Sequence, residues 1–484
     1  MVTEQIRAEN ILSCSASRWG DRIAIKDSRG SCTYRELERA AHAVRDAIRS
    51  RGVPARSVVG ISILDARDFL ATLFGVLYAD CIAIPVAPNL SLTEQARLIT
   101  ETGVVLLCGS LRRSDGATAQ DFLEISPGQL IRFHEQAVQQ LPAAGVLFDD
   151  AAVIRYTSGT TGRSKGVVLS HTAVVERSEV SQRLLAVDHT DVVLAPLPLA
   201  YHFVASALAF LRAGATILDC LNLSGPEMLR QATENAATII YGSPLQYELL
   251  SRSTSSDTLS TVRRAISTST LLPRHTAELF SSRFKLRLTQ VYGIIEVGLP
   301  LWNDRASLEP TLLGGCVEPY ECRILHESGA TADIGEVGEL VVRGPGLFSG
   351  YLTGSNAGVL HPRNEWFRTG DLVSRDSSGV ITYRGRAKNV INCGGNKIFP
   401  EEVEDVLRRV PDIQAVRVCA EPHPLLGDLV IAEVVVTPST APAIEAWRAL
   451  CYQELSGYKV PKEFRIVEAL PSTGSGKVMY HSDN

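Results

Sequence analysis

The chain carries ten cysteines but has no Cys-x-x-Cys pair and no grouping of histidine with cysteine. Thiols scattered in this way argue against a disulfide scaffold and a structural zinc site. They fit reduced side chains in a cytoplasmic enzyme. No long run of one charge sign occurs: 48 Lys+Arg stand against 53 Asp+Glu, a net charge of −5. Such a balance offers no electrostatic footprint for nucleic acid or an anionic membrane. The longest apolar stretches, such as Ala71 to Ala87, are interrupted by residues like Asp80 and Pro85, and none reaches spanning length. The opening Met-Val-Thr-Glu-Gln-Ile-Arg lacks the basic-then-apolar plan of a signal peptide. A Walker phosphate loop is missing too. Its nearest approach, Pro471-Ser-Thr-Gly-Ser-Gly-Lys-Val478, has proline where the first glycine must stand and valine in place of the hydroxyl.

What is present is a globular composition, 45% apolar and 21% charged, in a chain of 484 residues. That length calls for two or three domains. Val58 to Ile63 reads as a buried parallel strand, Ala66 to Ala79 as a helix and Cys81 to Pro85 as a second strand. Strand–helix–strand with short links implies a parallel sheet covered by helices, hence an α/β fold. The alternation returns at 104–108, 215–219, 238–241, 264–267 and 287–291. Ahead of it, 22–26 and 31–34 are strand-like, and 35–50 has helical spacing. Thr33 with Glu36 three residues on forms a capping pair. An apolar helix is expected over Val204 to Ala213, and a short one near Phe133 to Gln140. Toward the end, a helix at 400–409, strands at 413–420 and 429–436, and a helix from about 442 to 455 make a small α+β unit.

Everything is organised around Tyr156 to Gly166, Tyr-Thr-Ser-Gly-Thr-Thr-Gly-Arg-Ser-Lys-Gly. Hydroxyls at Thr157, Ser158, Thr160 and Thr161 alternate with Gly159, Gly162 and Gly166, and Lys165 adds a cation. A short loop of this kind can turn its N–H groups inward around phosphate oxygens. The lysine supplies a point charge for a polyphosphate. The plainer alternative is a polar hairpin between two strands.

The string resembles the phosphate loop of the adenylate-forming superfamily, which includes acyl- and aryl-CoA ligases, adenylation enzymes and luciferases. Ser164 stands where that family has proline. Other blocks agree in order: Thr33-Tyr-Arg-Glu-Leu37, Gln290-Val-Tyr-Gly-Ile-Ile-Glu296, Gly338-Glu-Leu-Val-Val-Arg-Gly-Pro345 with Gly350-Tyr351, and Trp366-Phe-Arg-Thr-Gly-Asp371. The block from Tyr383 to Glu404 and Leu470 to Lys477 follow. The resemblance implies a large multi-layer N-terminal region over 1–387 and a small mobile α+β lid over 388–484, with Lys388 at the hinge.

It also implies roles. Pyrophosphate falls to Thr157, Ser158, Gly159, Thr160, Thr161, Gly162 and Lys165, and Mg²⁺ to Glu296 with Thr161. Adenosine falls to Tyr292, Gly293, Asp371 and Arg386. The acid pocket is assigned to His202, Tyr241, Gly242, Thr268 and Ser269. Lys477 is the lysine that bridges carboxylate and α-phosphate, and the Gly394–Gly395 loop approaches the thiol acceptor. Three departures matter. Thr268 and Ser269 replace small glycines and favour a compact acid. Ile295 replaces a threonine. No aspartate lies between Tyr201 and Leu211 to hold an α-ammonium, which disfavours an amino acid. The implied activity uses ATP and Mg²⁺ to convert a small carboxylic acid to an acyl-adenylate and then to a thioester. Coenzyme A is the default acceptor, and a phosphopantetheine carrier protein supplied in trans is the rival. A nucleotide-binding protein without catalysis is the third reading.

Overall fold

The computed structural model describes residues 7–87, 90, 92–110, 122–126, 129–135, 149–157, 165–304, 311–352, 358–362, 364–393, 396–423, 427–437 and 441–471. The chain forms two compact units. The first draws on described residues of Met1–Thr157, Ser164–Glu321 and Val342–Phe367. The second draws on those of Cys322–Val341 and Arg368–Asn484.

Two sheets build the first unit. One runs in the spatial order Leu312–Cys316, Gly298–Asn303, Leu288–Ile294, Arg264–Ser267, Ile239–Gly242, Val192–Ala195, Thr216–Asp219, Ile23–Asp27, Gly30–Thr33. Its middle pairings are parallel and its outer ones antiparallel. The other runs Gly358–Leu360, Gly350–Leu352, Lys165–Ser170, Ala151–Thr157, Ile82–Pro85, Val58–Ser62, Val104–Ser110, Gln129–Glu135, Phe122–Ser126. Parallel strands buried on both faces need continuous apolar sequence. Val58, Val59 and Ile61 meet that need, each at most 4% exposed. The helix Ala66–Tyr78 is buried on nearly every side, so it is largely apolar beyond its first turn, where the buried Asp68 pairs with Arg29. The helix Tyr34–Ser50 starts at the capping box foreseen: Glu36 N–H donates to Thr33 Oγ1, and Thr33 N–H donates to Glu36 Oε2.

Two local expectations are corrected. Phe133–Glu135 belong to the strand Gln129–Glu135, not a helix; Ile131 and Phe133 are buried while Arg132 and His134 are half-buried, a two-residue alternation. Residues 136–140 lie outside the described set. The apolar helix begins at Ala207, because Phe203–Ala205 is a 3₁₀ turn preceded by a short helix, Leu199–His202.

In the second unit, Glu321–Leu325, Gly338–Arg343, Phe367–Arg375 and Ile381–Arg386 lie side by side. A separate sheet follows: Asn396–Ile398, Ile391–Cys393, Gly427–Val436, Ile413–His423, with Glu463–Ile466 parallel to Gly427–Val436. The helices Pro400–Leu407 and Ile444–Glu454 cover it with Val403, Leu407 and Trp447. Pro400 opens its helix with Glu401 and Glu402 in the first turn, as the sequence pattern implied. Among the described residues no helix is long and apolar enough to cross a membrane.

Candidate active site

Three neighbouring parallel strands of the first unit carry the residues singled out in the sequence at or near their carboxyl ends. Gly242 pairs with Ser267, so the strands Ile239–Gly242 and Arg264–Ser267 end level, and Ser267 pairs with Gln290 of Leu288–Ile294, which runs on past them. Ligands of open α/β sheets bind beyond such ends. Tyr241 and Gly242, Thr268 and Ser269, Tyr292 and Gly293 are therefore gathered along one edge. Burial pushes the Tyr241 hydroxyl up to about 12, and a hydrogen bond with the Thr268 side chain works against that rise. Ser269 Oγ lies 3.5 Å from His202 Nε2. Its backbone φ is +76, a conformation that glycine adopts without strain. The chain has thus kept a glycine-like backbone here while placing a hydroxyl on it.

Gln290 is buried and serves the frame. Its Oε1 accepts from Leu272 N–H at 2.7 Å, and its Nε2 donates to the Leu312 carbonyl at 3.0 Å. Gly293 is required by its own hairpin. A Cβ there would fall 2.8 Å from the Gly298 carbonyl oxygen and 2.6 Å from Leu299 Cδ2. Ile295 packs against the main core of the unit.

The strands Ala151–Thr157 and Lys165–Ser170 pair antiparallel, with Thr157 opposite Lys165, and so frame the stretch 158–164. Ser158, Gly159, Thr160, Thr161 and Gly162 fall outside the described residues. Gly350–Leu352 pairs with the outer side of Lys165–Ser170, Tyr351 opposite Val167. This brings three functional side chains together. Lys165 Nζ lies 4.9 Å from the centre of the Tyr351 ring. The Tyr351 hydroxyl donates to Glu296 Oε1 at 2.8 Å. Burial, reinforced by the Glu296 charge, holds that hydroxyl protonated well above its ordinary range, so it stays a donor. In the sequence Tyr351 stands out only as part of the Gly350-Tyr351 block, with no role attached.

One hydrogen bond to one carboxylate oxygen leaves Glu296 with further acceptor capacity. A half-buried carboxylate beside a lysine suits a hard cation that also binds phosphate oxygens. Among the described residues no group of three His, Cys, Asp or Glu side chains converges to hold a metal alone.

In the second unit, Asp371 and Arg386 face each other across neighbouring strands. Arg386 Nε lies 2.6 Å from Asp371 Oδ1, the carboxylate being 1% exposed and the guanidinium 40%. Asp371 lies within an irregular strand. Phe367–Arg375 is continuous, with Gly370 at φ +74 and its N–H donating to Glu339 Oε1. Lys388 is exposed in the 3₁₀ turn Ala387–Asn389. Lys477, Gly394 and Gly395 lie outside the described residues.

Comparison with known proteins agrees with this layout. A family model described as AMP-binding enzyme matches residues 12–352, and one described as AMP-binding enzyme C-terminal domain matches 402–477. A feruloyl-CoA synthase of Amycolatopsis sp is 28% identical over 470 residues, covering 94% of each chain. A sulfoacetate–CoA ligase of Cupriavidus necator is 27% identical, covering 97% of this chain and 95% of its own. The ATP-bound structure of MatB from Rhodopseudomonas palustris superposes with a TM-score of 0.82 at 24% identity, over 98% of this chain and 97% of its own, a likeness of fold. With both models matched in order, and the first alone spanning most of the sequence, the chain belongs to the AMP-binding enzyme family.

Proposed function

We propose that this AMP-forming acid–thiol ligase activates a small, compact carboxylic acid with ATP and passes the acyl group to coenzyme A. The observation that carries the reading is the convergence of Lys165, Tyr351 and Glu296 beside the strands that frame 158–164. A carboxylate is a poor acyl donor. Attack of its oxygen on the α-phosphorus of ATP expels pyrophosphate and leaves an acyl-AMP, whose phosphate is a good leaving group. A thiol then attacks the acyl carbon and AMP departs.

The barrier of the first step is charge on phosphoryl oxygens and in-line alignment. Lys165 and the hydroxyl-rich stretch 157–162 hold the pyrophosphate portion. Glu296, with Thr161, would hold a Mg²⁺ whose chemistry is to neutralise phosphate charge. Tyr292 offers a ring face to the purine, and Asp371 and Arg386 take the ribose. Lys477 approaches the α-phosphate and the carboxylate. The second step follows rotation of the lid 388–484 about Lys388, which brings Gly394 and Gly395 to the site. His202, Tyr241, Gly242, Thr268 and Ser269 line the acid pocket; side chains at 268 and 269 shorten it.

Relatives named as CoA synthases and ligases favour coenzyme A over a carrier protein. The test is pyrophosphate exchange with a panel of small aliphatic and aromatic acids, followed by thioester detection with free coenzyme A or with a phosphopantetheinylated carrier. Exchange with at least one acid and a thioester on coenzyme A are expected. Thioester on the carrier alone would reassign the acceptor. No exchange with any acid would leave nucleotide binding without catalysis.

A further inference from the structure

Two consecutive residues of the helix His171–Leu185, Glu176 and Arg177, grip the same residue, Gly346, from its two sides. Gly346 N–H donates to Glu176 Oε2 at 2.7 Å, and the Gly346 carbonyl accepts from Arg177 Nε. Arg177 continues to the segment that carries the metal-site carboxylate. Its Nη1 donates to the Ile295 carbonyl, and its Nη2 to the Glu296 carbonyl at 2.7 Å. Phe348 N–H reaches the same Glu296 carbonyl at 2.9 Å. Tyr351, a few residues along that strand, holds the Glu296 side chain. One guanidinium therefore pins 295–296 to 346–348, and the pinned segment returns to grip the carboxylate.

The arrangement is costly for a merely structural one. Arg177 is 3% exposed, and taking a guanidinium charge out of water carries a desolvation cost. An apolar side chain would fill the space without that cost. A planar fork holds its donors in fixed, spread directions and reaches three carbonyls from three nitrogens, whereas lysine offers its donors from one nitrogen and methionine offers none. Gly346 is matched to it: φ is +70, and a Cβ would fall 2.6 Å from Arg177 Cγ.

We propose that Arg177, acting with Tyr351, is a positioning residue for Glu296. It fixes the direction in which that carboxylate meets the cation bound with ATP. The inference rests on Glu296 being a cation ligand, as proposed above. Outer partners that orient a metal ligand typically change metal affinity about 10–100-fold when removed.

The experiment is isothermal titration of ATP into the full-length protein with and without Mg²⁺. The readout is the ratio of the two dissociation constants. Glu296→Gln, Tyr351→Phe, Arg177→Met and Arg177→Lys are compared with wild type, each checked for its unfolding midpoint. Glu296→Gln should collapse the ratio. Tyr351→Phe and Arg177→Met should lower it about tenfold, with the metal-free constant unchanged, and Arg177→Lys should recover it in part. A general loss of structure would weaken both constants together. If Glu296→Gln leaves the ratio at its wild-type value, the cation-ligand reading fails. If that variant collapses it but folded Tyr351→Phe and Arg177→Met keep the wild-type ratio, the positioning role is refuted. Should Arg177→Met not fold, Tyr351→Phe decides alone.

Discussion

Arg386 and Asp371 form an unequal pair, 2.6 Å apart, with the acid almost wholly buried and the base open to solvent on one side. The inequality sets what each substitution does. Asp371→Asn leaves a guanidinium that water can solvate. Arg386→Met leaves a buried carboxylate without its partner cation, and uncompensated buried charge is the expensive case. Arg386→Met should therefore lower unfolding stability by about 2–3 kcal/mol, short of the loss for a fully enclosed pair, and Asp371→Asn by roughly 1 kcal/mol or less. For ATP affinity both substitutions should be felt, since both side chains are assigned to the ribose. Losing a charged hydrogen bond costs about 1.5–3 kcal/mol, or roughly ten- to a hundredfold in dissociation constant. Denaturant titration beside ATP titration separates stability from binding. An ATP dissociation constant that Asp371→Asn leaves at its wild-type value would reject the assignment of Asp371 to the nucleotide.

Glu401 gives the second unit a pH dependence. Desolvation raises its carboxyl to about 7, and Glu401 is buried in the helix Pro400–Leu407. An acid whose folded value lies above its unfolded one holds its proton longer in the native state. The stability it confers is complete below about pH 4.5 and is lost as pH rises through 7. Glu401→Gln keeps the shape without the charge. Its unfolding midpoint should match wild type near pH 4.5 and exceed it at pH 8, by an amount equivalent to at most about 3 kcal/mol. A pH-independent difference between the two proteins would exclude the assignment.

His171 acts in the opposite direction in the first unit. Its Nδ1 accepts from Ala8 N–H at 3.1 Å, and Glu9, Arg7 and Asp80 surround it. Burial, with Arg7 adding to it, lowers the imidazole to about 4. The native state keeps it neutral while the unfolded chain protonates near 6.5. Stability is therefore intact above 6.5 and falls progressively down to 4. His171→Asn preserves an acceptor near Nδ1 and does not titrate. The wild-type minus variant difference in unfolding midpoint should shrink between pH 6.5 and 4. A difference that stays constant over that range would rule the histidine out as the source.

Much of the fold was legible because its signals are local. The run Val58-Val-Gly-Ile61 has no polar side chain since both faces are covered, and Thr33 with Glu36 announces a helix start within four residues. Ile131-Arg-Phe-His134 shows where the reading slipped. Its alternation marks a strand, but a polar surrounding sequence obscured it. The candidate site is proposed from its glycines, hydroxyls and charges. Arg177 and Tyr351 were not legible, for a physical reason. Arg177 bonds to main-chain carbonyls 118 to 169 residues away, and any residue can offer a carbonyl. Tyr351 reaches Glu296 across 55 residues through strand pairing that no local pattern encodes. Gly293 was read as clearance for a nucleotide, whereas its own hairpin already forbids a side chain.

On the proposed mechanism, the two half-reactions make opposite demands on Lys477. In adenylation, negative charge grows on the α-phosphate as the carboxylate attacks, and a terminal ammonium between them stabilises both. In thiol transfer the bond being broken joins the acyl carbon to phosphate, and the Gly394–Gly395 loop is proposed to take that place. Lys477→Ala should therefore slow acyl-adenylate formation by about a hundredfold or more, the scale on which a single charge-stabilising donor acts. It should leave thioester formation from preformed acyl-adenylate and coenzyme A within about threefold of wild type, a change of under 1 kcal/mol in barrier. Measuring each half-reaction separately matters, because the overall rate would report only the slower one. Equal loss in both would mean that the lysine stays at the site throughout, and the rotation about Lys388 would then have no role in exchanging it.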